Sequence, residues 1–279
     1  MARARTTPDN QEYAIGLARA FGGALIFAFP LLMTMEMWEL GFYMDRTRLA
    51  LFLALGLPLL FGLSYFAGFR TTRDWRDDLL DALAAYAVGF IAAAALLWLF
   101  SVIGPDMPVR ETVGKVALQA VPGGIGALLA RKQFGQREDD GGPEEGDGRK
   151  GYASELFLMT AGALFIAFNV APTEEMVLIA YQMSPWHALT LAGVSLAVLH
   201  ALVFSVGFAG QEEGHGSGST IRTFLFFTLV GYAIALLVSL YILWTFSRTD
   251  SGLNGELLKT VIVLGFPSSI GAAAARLLV

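Results

Sequence analysis

The sequence predicts an all-α, polytopic membrane protein, and three observations support this fold class. Of the 279 residues, 55% are hydrophobic and only 15% are charged, whereas soluble domains usually carry about 25% charged residues. Apolar runs at 49–69, 79–103 and 223–246 are long enough to cross a bilayer, which takes about 20 residues. Within lipid, a helix satisfies its own backbone hydrogen bonds over such a length.

Eight transmembrane helices are predicted from these apolar runs. They cover residues 17–43, 47–69, 78–103, 111–131, 153–181, 186–209, 221–246 and 256–278. The N-terminal arginines and the apolar stretch after them are also typical of a signal peptide. However, the stretch runs to about Met44, contains Glu36 and Glu39, and lacks a small-residue cleavage site. We therefore predict a retained transmembrane helix.

Lysine and arginine residues predict the orientation of the spans. With a cytoplasmic N-terminus, all but six of the 19 Lys and Arg residues fall on the cytoplasmic side. The six exceptions are Arg46, Arg48, Arg110, Lys115, Arg248 and Lys259. The positive-inside rule then predicts that both termini are cytoplasmic. The formal net charge of −5 comes largely from loops, so it does not indicate a basic partner.

The two halves of the chain match each other in order, which predicts an internal duplication. At a constant offset of 139 residues, the Thr-x-Glu-Met motif at 34–37 aligns with the one at 173–176. Further along, Pro-x-x-Ile-Gly-Ala at 122–127 aligns with 267–272. Four spans in each unit give both units the same orientation. We therefore expect parallel repeats about a pseudo-two-fold axis along the membrane normal.

The segment between the halves predicts the domain boundaries. Residues 134–151 are rich in Gly, Asp and Glu, a composition that buries too little apolar surface to fold. We expect a first four-helix repeat with a short cytoplasmic N-terminus at 1–131. A flexible, acidic cytoplasmic linker follows at 132–151, and a second four-helix repeat occupies 152–279.

Glutamates within the predicted spans are the main candidates for a functional site. Glu36 and Glu39 fall in the first predicted helix, and Glu174 and Glu175 fall in the fifth. Glu36 and Glu175 hold equivalent positions in the two Thr-x-Glu-Met motifs. An ionised side chain in hydrocarbon is costly and usually faces a cavity or a partner. Glu36 precedes Asp45 by roughly 13 Å of helix, which predicts a position in the outer half of the membrane.

Helix breakers accompany these glutamates. Pro30 precedes Glu36, while Asn169 and Pro172 precede Glu174. Proline removes a backbone donor and frees a carbonyl oxygen one turn earlier in the helix. The sequence therefore predicts unpaired backbone oxygens close to the carboxylates.

These oxygens predict the chemistry of the site. The carboxylates, the freed carbonyls and the hydroxyls of Thr34 and Thr173 would suit a hard cation such as Ca²⁺ or Na⁺. Glu36 and Glu175 are the predicted principal ligands. A carboxyl group in an apolar environment also holds its proton more tightly, which suits proton exchange.

A structural interpretation of the same residues stays open. The glutamates can instead be protonated and hydrogen-bonded between helices, or simply hydrated near the outer interface, Glu39 above all. Pro122 and Pro267 lie in small-residue motifs that favour close helix packing, although their helices can also line a path beside the glutamates. His200 is predicted to be a hydrogen-bonded core histidine, with a proton relay as the alternative.

Other classes of site find no support in the sequence. With no cysteine, disulfides, thiol nucleophiles and cysteine metal sites are excluded. Motifs for nucleotide binding, hydrolase chemistry and haem attachment do not occur in the 279 residues. We predict a protein that is not an enzyme and that has no cofactor, apart from a bound hard cation.

The duplicated Thr-x-Glu-Met and Pro-x-x-Ile-Gly-Ala motifs resemble those of a bacterial family of integral membrane proteins that is defined as a domain of unknown function. The resemblance covers nearly the whole chain and implies a location in the bacterial inner membrane. The duplicated acidic motif is also loosely similar to cation/proton exchangers, whose repeats each contribute an acidic helix. The Gly-Asn-x-x-Glu pattern of calcium/cation antiporters does not occur here.

Ion transport is the function that these observations favour. We expect a cation channel or a cation/proton exchanger that uses the paired glutamates. Its partners would be the lipid bilayer and cations or protons, with no nucleic acid. The alternative is a membrane sensor or assembly partner in which the glutamates are structural. An enzyme acting on lipid would need a catalytic constellation, and only the carboxylates are present. Both a monomer and a homo-oligomer are compatible with the sequence.

Overall fold

The computed structural model describes residues 10–67, 75–135, 151–206, 221, 224–250, 252 and 254–278. The described residues form helices and no strand, so the predicted all-α class is confirmed. The helices are α1 (Asn10–Leu32), α2 (Met35–Tyr43), α3 (Arg46–Ala67), α4 (Trp75–Leu99), α5 (Val109–Gly135), α6 (Tyr152–Val170), α7 (Glu174–Gln182), α8 (Pro185–Val206), a π-helical turn (Phe224–Leu229) that continues into α9 (Val230–Thr245), and α10 (Gly255–Leu278).

Eight of these helical segments are long and apolar enough to cross a membrane. They are α1, α3, α4, α5, α6, α8, the π-helical turn with α9, and α10, which confirms the predicted number of spans. The predicted linker at 132–151 lies mostly outside the described residues. The duplication and the two-repeat boundaries stay predictions, and below we call α1–α5 the N-terminal half and α6–α10 the C-terminal half.

The first and fifth predicted spans were wrong in one respect, because each consists of two helices. The long helices end at Leu32 and Val170, and the short helices α2 and α7 follow. Between them, Thr34 and Thr173 have extended backbone angles of φ −101°, ψ 129° and φ −70°, ψ 145°. Each threonine hydroxyl donates to a carbonyl three residues earlier, at 2.9 Å. This local bond competes with continued helix and stabilises the break.

α5 and α10 are the central helices of their halves. In α5, 78% of the membrane-spanning segment is buried inside the protein, and in α10 the buried share is 61%. The other spans have buried shares of 22–50%. Glycines allow the closest approaches. A Cβ atom at Gly126 would collide with the Gly23 carbonyl, and one at Gly271 would collide with the Gly162 carbonyl. Small residues at these crossings therefore bring the backbones of α1 and α5, and of α6 and α10, into contact.

Aromatic side chains fill the junction between the two halves. Phe27 packs on Phe165 with ring centroids 5.0 Å apart, and Phe52 meets Phe168 edge to face at 5.3 Å. A cavity of only about 20 Å³ lies nearby, and all its lining residues are apolar: Leu63, Ile125, Leu129, Leu158, Ala161, Gly162, Phe165 and Ala275. That is room for about one water molecule, and an apolar cavity of this kind stays dry. The junction is closed in this structure.

Candidate functional site

The short helices α2 and α7 bring the predicted glutamates to one end of the bundle, where the two halves meet. Tyr43, the last residue of α2, lies within the electrostatic range of Arg248, Glu39 and Glu174. Glu39 belongs to α2, whereas Glu174 belongs to α7. Burial raises the pKa of the Tyr43 hydroxyl, Arg248 opposes that shift, and the two glutamates reinforce it. Carboxylates from both halves therefore share one neighbourhood, which we call the α2–α7 end.

The glutamates lie in separate short helices after the breaks and not within the long apolar helices, and their depth in the membrane stays a prediction. The long apolar helices end at Leu32 and Val170, and the breaks at Thr34 and Thr173 place every glutamate in a following short helix. The physical reason is the helix break itself, which separates the acidic segment from the apolar one. Glu36, Glu174 and Glu175 lie in the first turn of their short helices, where the helix macrodipole favours their charge.

All four carboxylates are accessible. Glu39, Glu174 and Glu175 are exposed, and Glu36 is half-buried. Within the described part of the chain, none of the four forms a hydrogen bond or a salt bridge. Their oxygens are therefore free to take water, a cation or a basic group from a partner.

The backbone oxygens freed at the breaks are largely occupied. The Leu31 carbonyl accepts from the Thr34 amide, from the Thr34 hydroxyl and, at 3.4 Å, from Nε2 of Gln119. The Val170 carbonyl accepts from the amide and the hydroxyl of Thr173. The predicted oxygen-rich cation site is therefore built from fewer free ligands than the sequence indicated. Pro30 is exposed, and Pro122 is buried within α5.

Basic residues hold the second break in place. A guanidinium nitrogen of Arg248 donates to the Pro172 carbonyl at 3.1 Å. Asn169 donates to the Phe165 carbonyl at 2.8 Å, while its side-chain oxygen is buried with no partner among the described residues. In α10, Lys259 donates to the Met183 carbonyl at the end of α7 and pairs with Glu256, both at 2.9 Å. The basic side chains of Arg248 and Lys259 thus bind carbonyl oxygens around α7, while Glu174 and Glu175 in α7 stay unpaired.

A metal site is not evident from the geometry. Among the described residues, no group of three or more His, Asp or Glu side chains could hold a metal ion. Glu39 and Glu174 both lie within electrostatic range of Tyr43, and within the described residues no hydrogen bond joins a glutamate of α2 to one of α7. The assignment of a hard cation to Glu36 and Glu175 stays a prediction. Pro267 is half-buried within α10, beside two buried serines.

Two buried acids were missed by the sequence reasoning. Asp78 in α4 is 2% exposed and Glu155 in α6 is 4% exposed. Both lie in the first turn of their helices, at the end of the bundle opposite α2 and α7. Asp78 accepts a hydrogen bond from Ser64 at 3.3 Å. The signal for Glu155 was present in the sequence, because it is the only charged residue in the apolar run 152–170.

These features define a polytopic integral membrane protein with eight spans and an acidic surface at one end. Residues 16–279 match the model of the family described as "Putative integral membrane protein (DUF2391)". The chain belongs to this family, as its sequence motifs predicted. No curated protein and no solved structure matches the chain.

Proposed function

We propose that the protein moves cations or protons across a membrane, with the glutamates of α2 and α7 forming the entry surface. The observation that carries this proposal is that Glu39 and Glu174, from the two halves, both act electrostatically on the Tyr43 hydroxyl, at the end where a salt bridge between Arg48 and Asp250 joins the halves. With Glu36 and Glu175, the two glutamates place four acids on two short helices. A cluster of like charge at the mouth of a path raises the local concentration of counter-ions.

The unpaired state of the carboxylates supports a role in binding. An exposed carboxylate without a protein partner keeps its bound water and can exchange that water for a cation. Here three of the four are exposed, and Lys259 and Arg248 bind carbonyls rather than these acids. The free oxygens suit a hard cation such as Na⁺ or Ca²⁺, which prefers oxygen ligands, and they equally accept protons.

The closed junction between the halves favours a gated path or a carrier over an open channel. An ion path through the junction between the two halves would require the Phe27–Phe165 and Phe52–Phe168 pairs to separate. Packed interfaces of this kind have discrete arrangements, and transport then follows from switching between them. From the distribution of Lys and Arg, we propose that both termini are cytoplasmic and that the α2–α7 end lies on the opposite side of the membrane. The membrane we propose is the bacterial inner membrane. No enzymatic role and no cofactor are proposed.

A sensor or an assembly partner is the second candidate. The observation that favours it is the same exposed acidic surface above a closed apolar junction. In that case the four glutamates would bind a basic segment of another membrane protein, and the helices would not open.

Ion flux in proteoliposomes distinguishes the two candidates. Liposomes that contain the purified protein would be loaded with dyes for Ca²⁺, Na⁺, K⁺ and pH. The proteins compared are the wild type, Glu39→Gln/Glu174→Gln and Glu36→Gln/Glu175→Gln. Asp106→Asn is the matched control, because Asp106 is an exposed acid in the loop before α5 at the same end. We expect flux of at least one cation, slower in both double variants and unchanged in the control. Absence of flux from folded wild type would overturn the transport proposal and favour the partner role.

A further inference from the structure

Buried polar side chains follow one face of α9 in the C-terminal half. Thr228 in the π-helical turn, Tyr232 and Ser239 are spaced by four and seven residues, which places them on the same face of the helix. Thr228 and Ser239 are fully buried, and Tyr232 is 6% exposed. From Thr228 to Ser239 the helix rises by roughly 16 Å, about half the hydrocarbon thickness.

Neighbouring helices contribute polar partners to this face. His200 of α8 lies with Nδ1 2.7 Å from the Thr228 hydroxyl. Ser268 of α10 lies with its hydroxyl oxygen 3.2 Å from that of Ser239, and each of the two hydroxyls donates to a carbonyl of its own helix. Ser195 of α8 is fully buried and lies next to Tyr232. We call His200, Thr228, Ser195, Tyr232, Ser239 and Ser268 the polar track.

The π-helical turn explains how the track begins. A π-helix accommodates an extra residue per turn and rotates the side chains that follow, and such turns are frequent at functional sites. Thr228 lies within this turn, at Phe224–Leu229. Phe224, in the same turn, packs edge to face on His200 at 5.3 Å. The irregular turn therefore brings the imidazole and the hydroxyl together.

The Tyr232 hydroxyl is the unusual member of the track. It is buried and, although the Ser195 hydroxyl lies beside it, no described residue makes a hydrogen bond of good geometry to it. Leaving a hydroxyl unpaired in an apolar environment costs about 1–3 kcal/mol, so buried hydroxyls without a protein partner are usually bonded to water. The Ser195 and Ser239 hydroxyls donate to carbonyls of their own helices at 2.7 Å, which leaves their oxygens able to accept from water.

The N-terminal half packs the corresponding place without this polar track. Under the sequence alignment, Phe61, Ala82, Gly56, Ala93 and Gly123 stand where His200, Thr228, Ser195, Ser239 and Ser268 stand. Only the tyrosine is retained, as Tyr86, and its hydroxyl donates to the Leu53 carbonyl at 3.0 Å. Helix packing in this fold therefore does not require the polar residues, which weakens the interpretation that they serve only to join helices.

We infer that the polar track is a hydrated route for protons within the C-terminal half, beside the closed junction. This inference rests on the proposed transport function and makes the proton the ion that crosses there. The serine hydroxyls donate to carbonyls at rest. To pass a proton on, each turns its O–H from the carbonyl toward the next member of the track and accepts a proton from the previous one in exchange. Beyond Ser239 and Ser268 the track stops at Leu243 and Leu264, which are fully buried. Those two leucines close the route toward the α2–α7 end.

Hydroxyl-radical footprinting tests the hydration directly and does not depend on transport. Radicals generated in the water next to a side chain label that side chain, and Tyr232 and Tyr86 are a matched pair in sequence and helix position. We expect Tyr232 of the folded protein in nanodiscs to be labelled several-fold faster than Tyr86. Equal and slow labelling of both tyrosines would show a dry C-terminal half and overturn the inference.

Proton flux in proteoliposomes tests the route itself. The variants replace track residues by their N-terminal counterparts: Thr228→Ala, Ser239→Ala and Ser268→Gly. Ala93→Ser, the reverse change in the other half, is the control. We expect proton flux to fall about tenfold or more in the track variants, as expected when a proton-transfer group is lost, and to stay unchanged in the control. Proton flux that is unchanged in the track variants but falls in Glu39→Gln/Glu174→Gln would overturn the inference and leave the proposed function standing. No flux of any ion would overturn both.

Discussion

Arg48 on α3 and Asp250 in the loop after α9 form a salt bridge of 2.6 Å that joins the two halves of the chain at the α2–α7 end. Arg48 also donates to the Trp244 carbonyl at 2.9 Å, and its guanidinium lies 5.1 Å from the Trp244 ring centroid. Three contacts from one side chain thus fix the distance between the halves beside the acidic surface.

The two members of this salt bridge should contribute unequally to stability. The Asp250 side chain is 57% exposed, and exposed ion pairs contribute about 0–1 kcal/mol. Arg48 additionally makes the carbonyl bond and the cation–π contact, which together add about 1–2 kcal/mol. We expect Arg48→Gln to lower the thermal unfolding temperature in detergent more than Asp250→Asn. Equal losses would show that the salt bridge alone accounts for the effect of Arg48.

Replacing Ser101 or Ser247 by glycine should stabilise the protein. The two serines end α4 and α9 with left-handed φ angles of 57° and 61°, a conformation that costs a non-glycine residue about 1 kcal/mol. Ser101→Gly and Ser247→Gly should each raise the free energy of unfolding by about that amount, since glycine adopts this conformation freely. Gly252→Ala, at φ 83°, is the opposite control and should destabilise. A lower unfolding temperature in both serine variants would contradict the backbone explanation.

The spans were predictable from the sequence. The helix breakers beside the glutamates were identified as well, whereas the positions of the breaks, at Thr34 and Thr173, were not. Long apolar runs determine the eight helices because the bilayer requires that length. The break at Thr34 lies four residues after Pro30, in a run whose hydropathy continues through Met33 and Met35. It depends on the bond from the Thr34 hydroxyl to the Leu31 carbonyl, a local contact that hydropathy does not report. Asn169 and Pro172 gave a clearer signal for the second break.

The candidate site was predictable in composition and not in geometry. The sequence identified the four glutamates and their equivalence across the halves. It could not bring Glu39 and Glu174 within electrostatic range of Tyr43, because residues of the two halves approach one another only through the tertiary structure. Asp78 is buried, whereas its neighbour Asp77 is exposed. Burial of one acid in a run of acids depends on the helix face that packs inward.

The aromatic junction should be a major source of stability. Phe168 is 2% exposed and meets Phe52 edge to face. Phe168→Ala should cost about 3–5 kcal/mol, because it removes the transfer free energy of the ring and leaves a cavity. Phe29→Ala is the matched control, since Phe29 is 49% exposed on the surface of α1. Unfolding in detergent measures both, and a similar cost for the two variants would contradict a packed junction.

Asp45 should make stability depend on acid pH. Its carboxylate accepts hydrogen bonds from the Arg48 and Thr47 amides at the start of α3, which lower the pKa of Asp45 below its ordinary value of 3.8. A group with a depressed folded-state pKa stabilises the fold above its unfolded pKa and loses that stabilisation as pH falls through the folded value. The unfolding temperature should therefore fall less between about pH 5 and about pH 3 in Asp45→Asn than in wild type. Parallel curves would show that Asp45 has no part in acid sensitivity.

The central claim is that Glu39 and Glu174 form the entry surface for a transported cation. Its most direct test is the current measured when the cation concentration is raised rapidly over solid-supported membranes that contain the protein. The account predicts a current in wild type whose half-saturating concentration rises about tenfold in Glu39→Gln/Glu174→Gln, because the counter-ion attraction at the entry is lost. The difference should shrink at high ionic strength, where surface charges are screened, and Asp106→Asn should behave as wild type. A current with the same half-saturation in all three proteins would contradict an entry role for Glu39 and Glu174. Folded wild type that gives neither a current nor a dye-detected flux of any cation or proton would contradict transport itself.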